Sequence, residues 1–247
     1  MDPHKFTTLA HTQHAFLGPH LDDGLERLIT VLTLPQGAEV VDIGCGKGEL
    51  LLRLAQRYRV HGEGIDRNPA FIAEASQRTA ARKLTGRLTW IQGDAAQIAF
   101  PHGTYDLVCC LGATGAFGGY RRTLECIRDY LAPDGRALIG EGFWRREPDQ
   151  AYLDLLGTTR DEMGTHVDNA ALARDLGYRV LYTAASTEAE WDHYEGLYLF
   201  GIESYAAAHP EDPDVPAMLE RVRNWHDGYL RWGRDTLGYG VYLLQRS

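Results

Sequence analysis

Residues 40–54 constrain this chain more than any other stretch. Val40-Val41-Asp42-Ile43 is apolar enough for a strand buried on both faces of a parallel sheet, and Leu50, Leu51 and Leu54 open a helical pattern just beyond it. Gly44, Gly46 and Gly48 stand between them on alternate positions, behind the acidic Asp42. Lacking a Cβ, glycine lets the turn take positive φ and lets a ligand lie against the backbone. The helix that follows points unpaired N–H groups and a positive dipole end into that space, which suits a carboxylate or a phosphate.

The pattern is D-x-G-x-G-x-G. A dinucleotide loop needs G-x-G-x-x-G, and Gly44 and Gly46 supply only its first two glycines; the third position is Glu49, a carboxylate where a pyrophosphate would approach. Val60 to Asp66 reads as a second strand ending in an acid. Asp66 falls roughly 20 residues past the glycine loop, where a carboxylate accepts two charge-assisted hydrogen bonds from a ribose diol. A third strand, Leu88–Gln92, runs into Gly93-Asp94-Ala95, and a fourth, Tyr105–Leu111, runs into Gly112-Ala113-Thr114-Gly115. A helix near 120–130 leads to the turn Ala132-Pro133-Asp134-Gly135 and a fifth strand, Arg136–Glu141.

These landmarks, in this order, resemble the class I S-adenosylmethionine (SAM) dependent methyltransferases. D-x-G-x-G-x-G is similar to their first motif, and Leu131-Ala132-Pro133-Asp134-Gly135-Arg136 ahead of a strand is a second family mark. The likeness extends over Gly118-Gly119, Trp144-Arg145, Trp191-Asp192-His193-Tyr194-Glu195 and Gly238-Tyr239-Gly240-Val241, and so over nearly the whole length. It is nearest to a little-characterised bacterial branch acting on small molecules, and it carries fold and cofactor but not the acceptor. The resemblance implies an α/β, Rossmann-like, doubly wound seven-stranded sheet with the last strand antiparallel. It also implies SAM as cofactor and S-adenosylhomocysteine as product. Asp42, Gly44, Cys45, Gly46, Gly48, Arg67, Leu111 and Gly112 would bind the cofactor, with Asp66 on its ribose. Asp94 and Ala95 would meet the adenine.

At 247 residues the chain fits one well-buried α/β domain with a cap. We expect an N-terminal helical cap segment over 1–38 and the SAM-binding domain over 39–247, with a helical insertion at 188–238. A net charge of −9 with no long Lys/Arg run disfavours nucleic acid and favours a small-molecule methyl acceptor. The four cysteines form no C-x-x-C pair and read as core thiols of a reducing cytoplasm, not as metal ligands or disulfides. No apolar run is long enough for a membrane span or a signal peptide. Oligomeric state is left open.

Outside the cofactor core, Leu21–Ile29 has helical spacing and Leu34-Pro35-Gln36-Gly37 ends it. His4, His11, His14 and His20 match no zinc spacing. Segments before the first strand often fold over the SAM site in this family, so His11, His14 and Phe16 are expected in the pocket. Glu141 and Trp144, at the carboxyl edge of the fifth strand, and Tyr194 are further candidates for the acceptor site. A helix over 168–177, a sixth strand at 178–183, and helices from Glu190 to His209 and over 215–235 precede a last strand at 239–244. Trp225 and Tyr229 are read as packing between the late helices and the sheet.

An activated methyl group needs its nucleophile held in line; an unprotonated amine or thiolate needs no base, whereas a hydroxyl does. His14, Glu141, His193 and Glu195 are the candidate bases. Two rival readings use the same loop: a SAM-binding protein without transferase activity, and an NAD(P)-dependent oxidoreductase. Glu49, the Pro-Asp-Gly turn and Gly93-Asp94 speak against the second.

Overall fold

The computed structural model describes residues 3–20 and 22–246. In chain order the elements are α1 (Pro3–Ala10), α2 (Asp22–Leu32), β1 (Glu39–Ile43), α3 (Glu49–Tyr58), β2 (His61–Asp66), α4 (Pro69–Ala81) and β3 (Leu88–Gln92). There follow β4 (Tyr105–Leu111), α5 (Tyr120–Ile127), β5 (Leu131–Trp144), α6 (Gln150–Leu156), α7 (His166–Asp175), β6 (Tyr178–Ala185), α8 (Glu188–Ala208), α9 (Val215–Gly228) and β7 (Leu237–Arg246). The seven strands form one sheet in the order β3-β2-β1-β4-β5-β7-β6. β7 runs antiparallel to both β5 and β6, whereas β1 to β5 pair in parallel. The strand order reverses between β1 and β4, and ligands of open α/β sheets bind at the carboxyl ends flanking such a switch.

Alternation along the strands splits the core. Val40, Leu107, Leu138 and Leu243 point to one face, against Leu25, Leu28, Ile29, Leu32, Leu50, Leu51 and Leu54 of α2 and α3. Val41, Val108, Ile139 and Leu244 point to the other, against Leu124 and Ile127 of α5 and Ala170 and Ala173 of α7. A third cluster joins Phe6 and Ala10 of α1 to Ile202 and Ala206 of α8 and Met218 and Val222 of α9. The N-terminal segment is thereby fastened to the late helices and bridges the glycine loop. Among the described residues, no helix is long and apolar enough to cross a membrane.

Several local readings change. Leu21, which opens the expected second helix, lies outside the described residues; that helix continues to Leu32. α1 lies in a stretch whose histidines masked its short apolar stripe. α4 is set by local signals: Asn68 caps Ala70 N–H at 2.9 Å and Pro69 sits at the first helical position. The Pro-Asp-Gly run is a bulge within β5, not a free turn, because the register slips between Tyr105↔Leu131 and Leu107↔Arg136. α5 stops at Ile127. α7 starts earlier than expected: Thr165 and Asp168 close a capping box, which puts Asp168 inside the first turn. The 215–235 helix is interrupted, passing through a π turn at Tyr229–Gly233.

Glu49 also corrects the sequence reading. Its carboxylate turns away from the glycine loop to Arg53 at 2.7 Å, Arg82 at 2.8 Å and Arg78 at 3.3 Å, binding α3 to α4. With Glu49 buried and the arginines partly exposed, we expect Glu49→Ala to cost about 2 kcal/mol, the scale of hydrogen bonds to charged groups. Urea unfolding measures this, and an unchanged midpoint would show that the network contributes nothing. Asp42 in β1 is 4% exposed, and burial, then the nearby Asp66 charge, pushes its carboxyl up to about 7. Because the folded pKa is the higher one, the folded protein binds more protons between about pH 4 and pH 7, and stability falls as pH rises through that window. Asp42→Asn should remove this loss. It should gain on the parent from pH 5 to pH 8 by about 2.6 kcal/mol, since about two pH units of that window fall in this range at 1.36 kcal/mol per unit; a pH-independent difference between the two would refute a titrating Asp42.

Candidate active site

The loop from β1 to α3 takes positive φ at Gly44, Gly46 and Gly48 (73°, 54° and 75°). Three bonds hold it in that path. Gly44 and Cys45 N–H both donate to the Ile65 carbonyl at 2.8 and 2.9 Å, and Gly46 N–H donates to Asp66 Oδ2 at 2.9 Å. Asp66 Oδ1 accepts from Asn68 N–H at 2.8 Å, so the acid at the end of β2 links the loop to the start of α4. Burial raises the Asp66 pKa.

These glycines are required by the protein's own packing. A Cβ on Gly44 would lie 2.2 Å from Ala113 Cβ, one on Gly46 2.1 Å from Leu17 Cδ1, and one on Gly48 2.3 Å from Trp90. Open backbone lies elsewhere, at Gly93, Gly112 and Gly115, where a Cβ would meet nothing nearer than 3.5 Å. They border a cavity of ≈ 260 Å³ across the ends of β1, β2 and β4, with Gly44, Asp66, Arg67 and Ala95 also on its wall. This cradle, which side chains would fill, fits a flat nucleoside with its diol toward Asp66. Asp94 stands beside it, accepting from Ala96 N–H at 3.1 Å and pairing with Arg67 at 2.5 Å. Cys45 and Leu111 are buried beneath the loop, and burial pushes the Cys45 thiol well up.

A second cavity, of ≈ 240 Å³, opens between the N-terminal segment and α8, lined by His14, Phe16, Gly18, His20, Glu190, His193, Tyr194 and Leu197. Leu17, whose neighbours Phe16 and Gly18 line the chamber, rests on Gly46 of the glycine loop. His11 lies behind His14, its ring 4.9 Å from that of His14, stacked on Phe71 and edge-on to Tyr198. His14 Nε2 donates to the Tyr194 carbonyl at 3.0 Å. Burial first, and then the charge of Lys47 among smaller causes, lowers both pKa values, to about 3 for His11 and about 4 for His14. Lys47 itself is buried on Glu74, at 3.1 Å, and on the Thr12 carbonyl, at 3.4 Å.

The other candidates are placed apart. Trp144 is 2% exposed, packs with Tyr152 and Leu153, and donates its indole N–H to the Arg160 carbonyl. Glu195 is on the far side of α8 from His14, accepting from Trp225 Nε1 at 2.8 Å, because successive helix residues point about 100° apart. Burial raises its carboxyl to about 7. Trp225 and Tyr229 border the same small gap as Glu195, packing α8 and α9 together. Glu141, at the end of β5, keeps one oxygen on Gly142 N–H at 3.1 Å; the other has no partner among the described residues, and burial raises its pKa. Among the described residues, no group of His, Cys, Asp and Glu side chains is placed to hold a metal ion. Leu17, His20, Lys47 and Glu190 were not singled out as site residues, since nothing in their spacing marks which loop they cover.

A methyltransferase-domain model matches residues 40–135. Uncharacterized protein YjhP of Escherichia coli (strain K12) is 28% identical over 99% of both chains. A SAM-dependent methyltransferase of Thiobacillus denitrificans, solved with S-adenosylhomocysteine, is 29% identical over 100% of both chains, with a TM-score of 0.92. One from Geobacter sulfurreducens, also with S-adenosylhomocysteine, is 27% identical over 98% of both, again at 0.92. The matched domain model and the S-adenosylhomocysteine-bound structures, together with the sheet order, antiparallel last strand and glycine loop, indicate a class I SAM-dependent methyltransferase.

Proposed function

We propose that the protein transfers the methyl group of SAM to a small-molecule acceptor held between the N-terminal segment and α8. The observation that carries this reading is the pair of cavities: a glycine-rimmed cradle at the carboxyl ends of β1, β2 and β4, and an aromatic, imidazole-lined chamber under the N-terminal segment, whose Leu17 packs on the glycine loop. The chamber's size suits a small molecule, and the net charge of −9 disfavours a nucleic-acid substrate.

Within this reading Asp66 accepts the ribose hydroxyls while keeping Gly46 N–H in place. Asp94 and Ala95 border the adenine, and Gly112 leaves room above β4. Gly44, Cys45, Gly46 and Gly48 shape the backbone around the methionine end, with Asp42 and Leu111 supporting it from below. Residues 1–38 act as the cap, and the helices of 188–238 form the other wall of the acceptor chamber. The cofactor supplies an already activated methyl group; the chain's own task is to hold the nucleophile in line with it and exclude water. The unpaired Cys45, Cys109, Cys110 and Cys126 suit a reducing, cytoplasmic setting.

Calorimetric titration with S-adenosylhomocysteine, with NADH in parallel, tests the assignment. We expect micromolar binding of the homocysteine compound and none of NADH; the reverse would move Asp66 to a nicotinamide site. Asp66→Ala should weaken S-adenosylhomocysteine binding roughly 10- to 100-fold, or about 1–3 kcal/mol, the scale of lost charge-assisted bonds. Unchanged affinity would remove Asp66 from the site.

A further inference from the structure

We propose that the acceptor presents a neutral hydroxyl, and that Nδ1 of His14 is the base that takes its proton. The inference rests on the methyltransferase reading above and adds the substrate class and the base.

Geometry fixes the tautomer of His14. Its Nε2 faces the carbonyl oxygen of Tyr194 at 3.0 Å, and a carbonyl can only accept, so Nε2 carries the proton. Nδ1 is then a bare lone pair. It is buried and has no hydrogen-bond partner among the described residues, in a side chain 4% exposed. An unpaired buried acceptor is costly, and it is retained where a partner arrives later. His20 Nε2, on the same chamber's wall, likewise lacks a partner among the described residues, as does His11 Nδ1 behind His14.

The charges around the chamber select a neutral partner. Lys47, behind the chamber, is already engaged by Glu74 and the Thr12 carbonyl, and Glu190, on its wall, closes the α8 cap on Thr187. These charges already have partners, and burying a further unpaired charge of either sign there is expensive. A hydroxyl supplies one donor for Nδ1 and an oxygen nucleophile at once.

The step balances. The hydroxyl oxygen forms the new carbon–oxygen bond as the methyl–sulfur bond breaks, with that electron pair remaining on sulfur. The hydroxyl proton passes to Nδ1, leaving an imidazolium that discharges to water after product leaves. Burial makes the imidazole a weak base in the resting chamber, yet it suffices, because the attacking oxygen grows strongly acidic as it gains the methyl group.

The test uses the full chain with S-adenosylhomocysteine bound and its histidine nitrogens ¹⁵N-labelled; the His14 resonances are those lost in His14→Gln. At neutral pH we expect an unprotonated Nδ1 and a protonated Nε2, with the Nδ1 signal shifting on titration with phenol or catechol. With labelled SAM, a panel of small phenols and alcohols should be methylated while isosteric anilines and thiophenols are not. His14→Gln keeps a donor for the Tyr194 carbonyl but lacks the lone pair, so it should lose about 10²- to 10⁴-fold in kcat, with S-adenosylhomocysteine affinity unchanged. The proposal falls if Nδ1 is protonated or unmoved by the phenols, if amines or thiols are the acceptors, or if His14→Gln keeps full turnover. Failure of S-adenosylhomocysteine to bind the parent protein would instead overturn the cofactor reading.

Discussion

Two acceptors at the end of β2, the Ile65 carbonyl and the Asp66 carboxylate, hold the site together. The loop after β1 carries three glycines with positive φ, a conformation with much backbone freedom to lose. It stays in one path because Gly44, Cys45 and Gly46 N–H groups all end on that neighbouring strand. The pairing of β1 with β2, from Glu39↔His61 to Ile43↔Ile65, brings donors and acceptors into reach. The carboxyl edge of the sheet thus becomes a fixed platform, and the cradle, the start of α3 and the seat for Leu17 all depend on it.

The cap is bound to that platform by contacts that are mostly uncharged. Leu17 lies on Gly46, Asn68 Nδ2 donates to Thr8 Oγ1 at 2.8 Å, and the His11 ring stacks on Phe71. Lys47, buried on Glu74 and the Thr12 carbonyl, adds a cation contact. Lys47 lies within the glycine loop, so the same few residues shape the cofactor side and set the electrostatic character of the acceptor side. Burial keeps the imidazoles of His11 and His14 neutral beside it, which makes the chamber a place for hydrogen bonds more than for ion pairs.

Much of the fold was legible because its signals are local. Apolar runs marked the strands, helical spacing marked α2, α3 and α9, and Gly44 to Gly48 marked the turn that a ligand-binding sheet needs. Elements failed where a local signal was ambiguous or overridden. Pro133-Asp134-Gly135 has turn chemistry, yet the pairing of β5 with β4 on either side absorbs it as a bulge. The reading of Glu49 was wrong in direction: sequence placed it in the loop, but helix geometry and the arginines of α3 and α4 turned it away.

By itself the sequence determined the α/β class, the strand that ends in Asp42, the acid at Asp66 and the family likeness, since each depends on residue type at short spacing. Only the tertiary structure decided which candidates share a chamber. His14 and Tyr194 are far apart in the chain and meet because α1 packs on α8, whereas Glu195, one residue from Tyr194, faces Trp225 on the opposite side of the same helix. The physical reason is that a side chain's direction is set by helix phase and by long-range apolar packing, and neither is written in the spacing of the residues that do the chemistry.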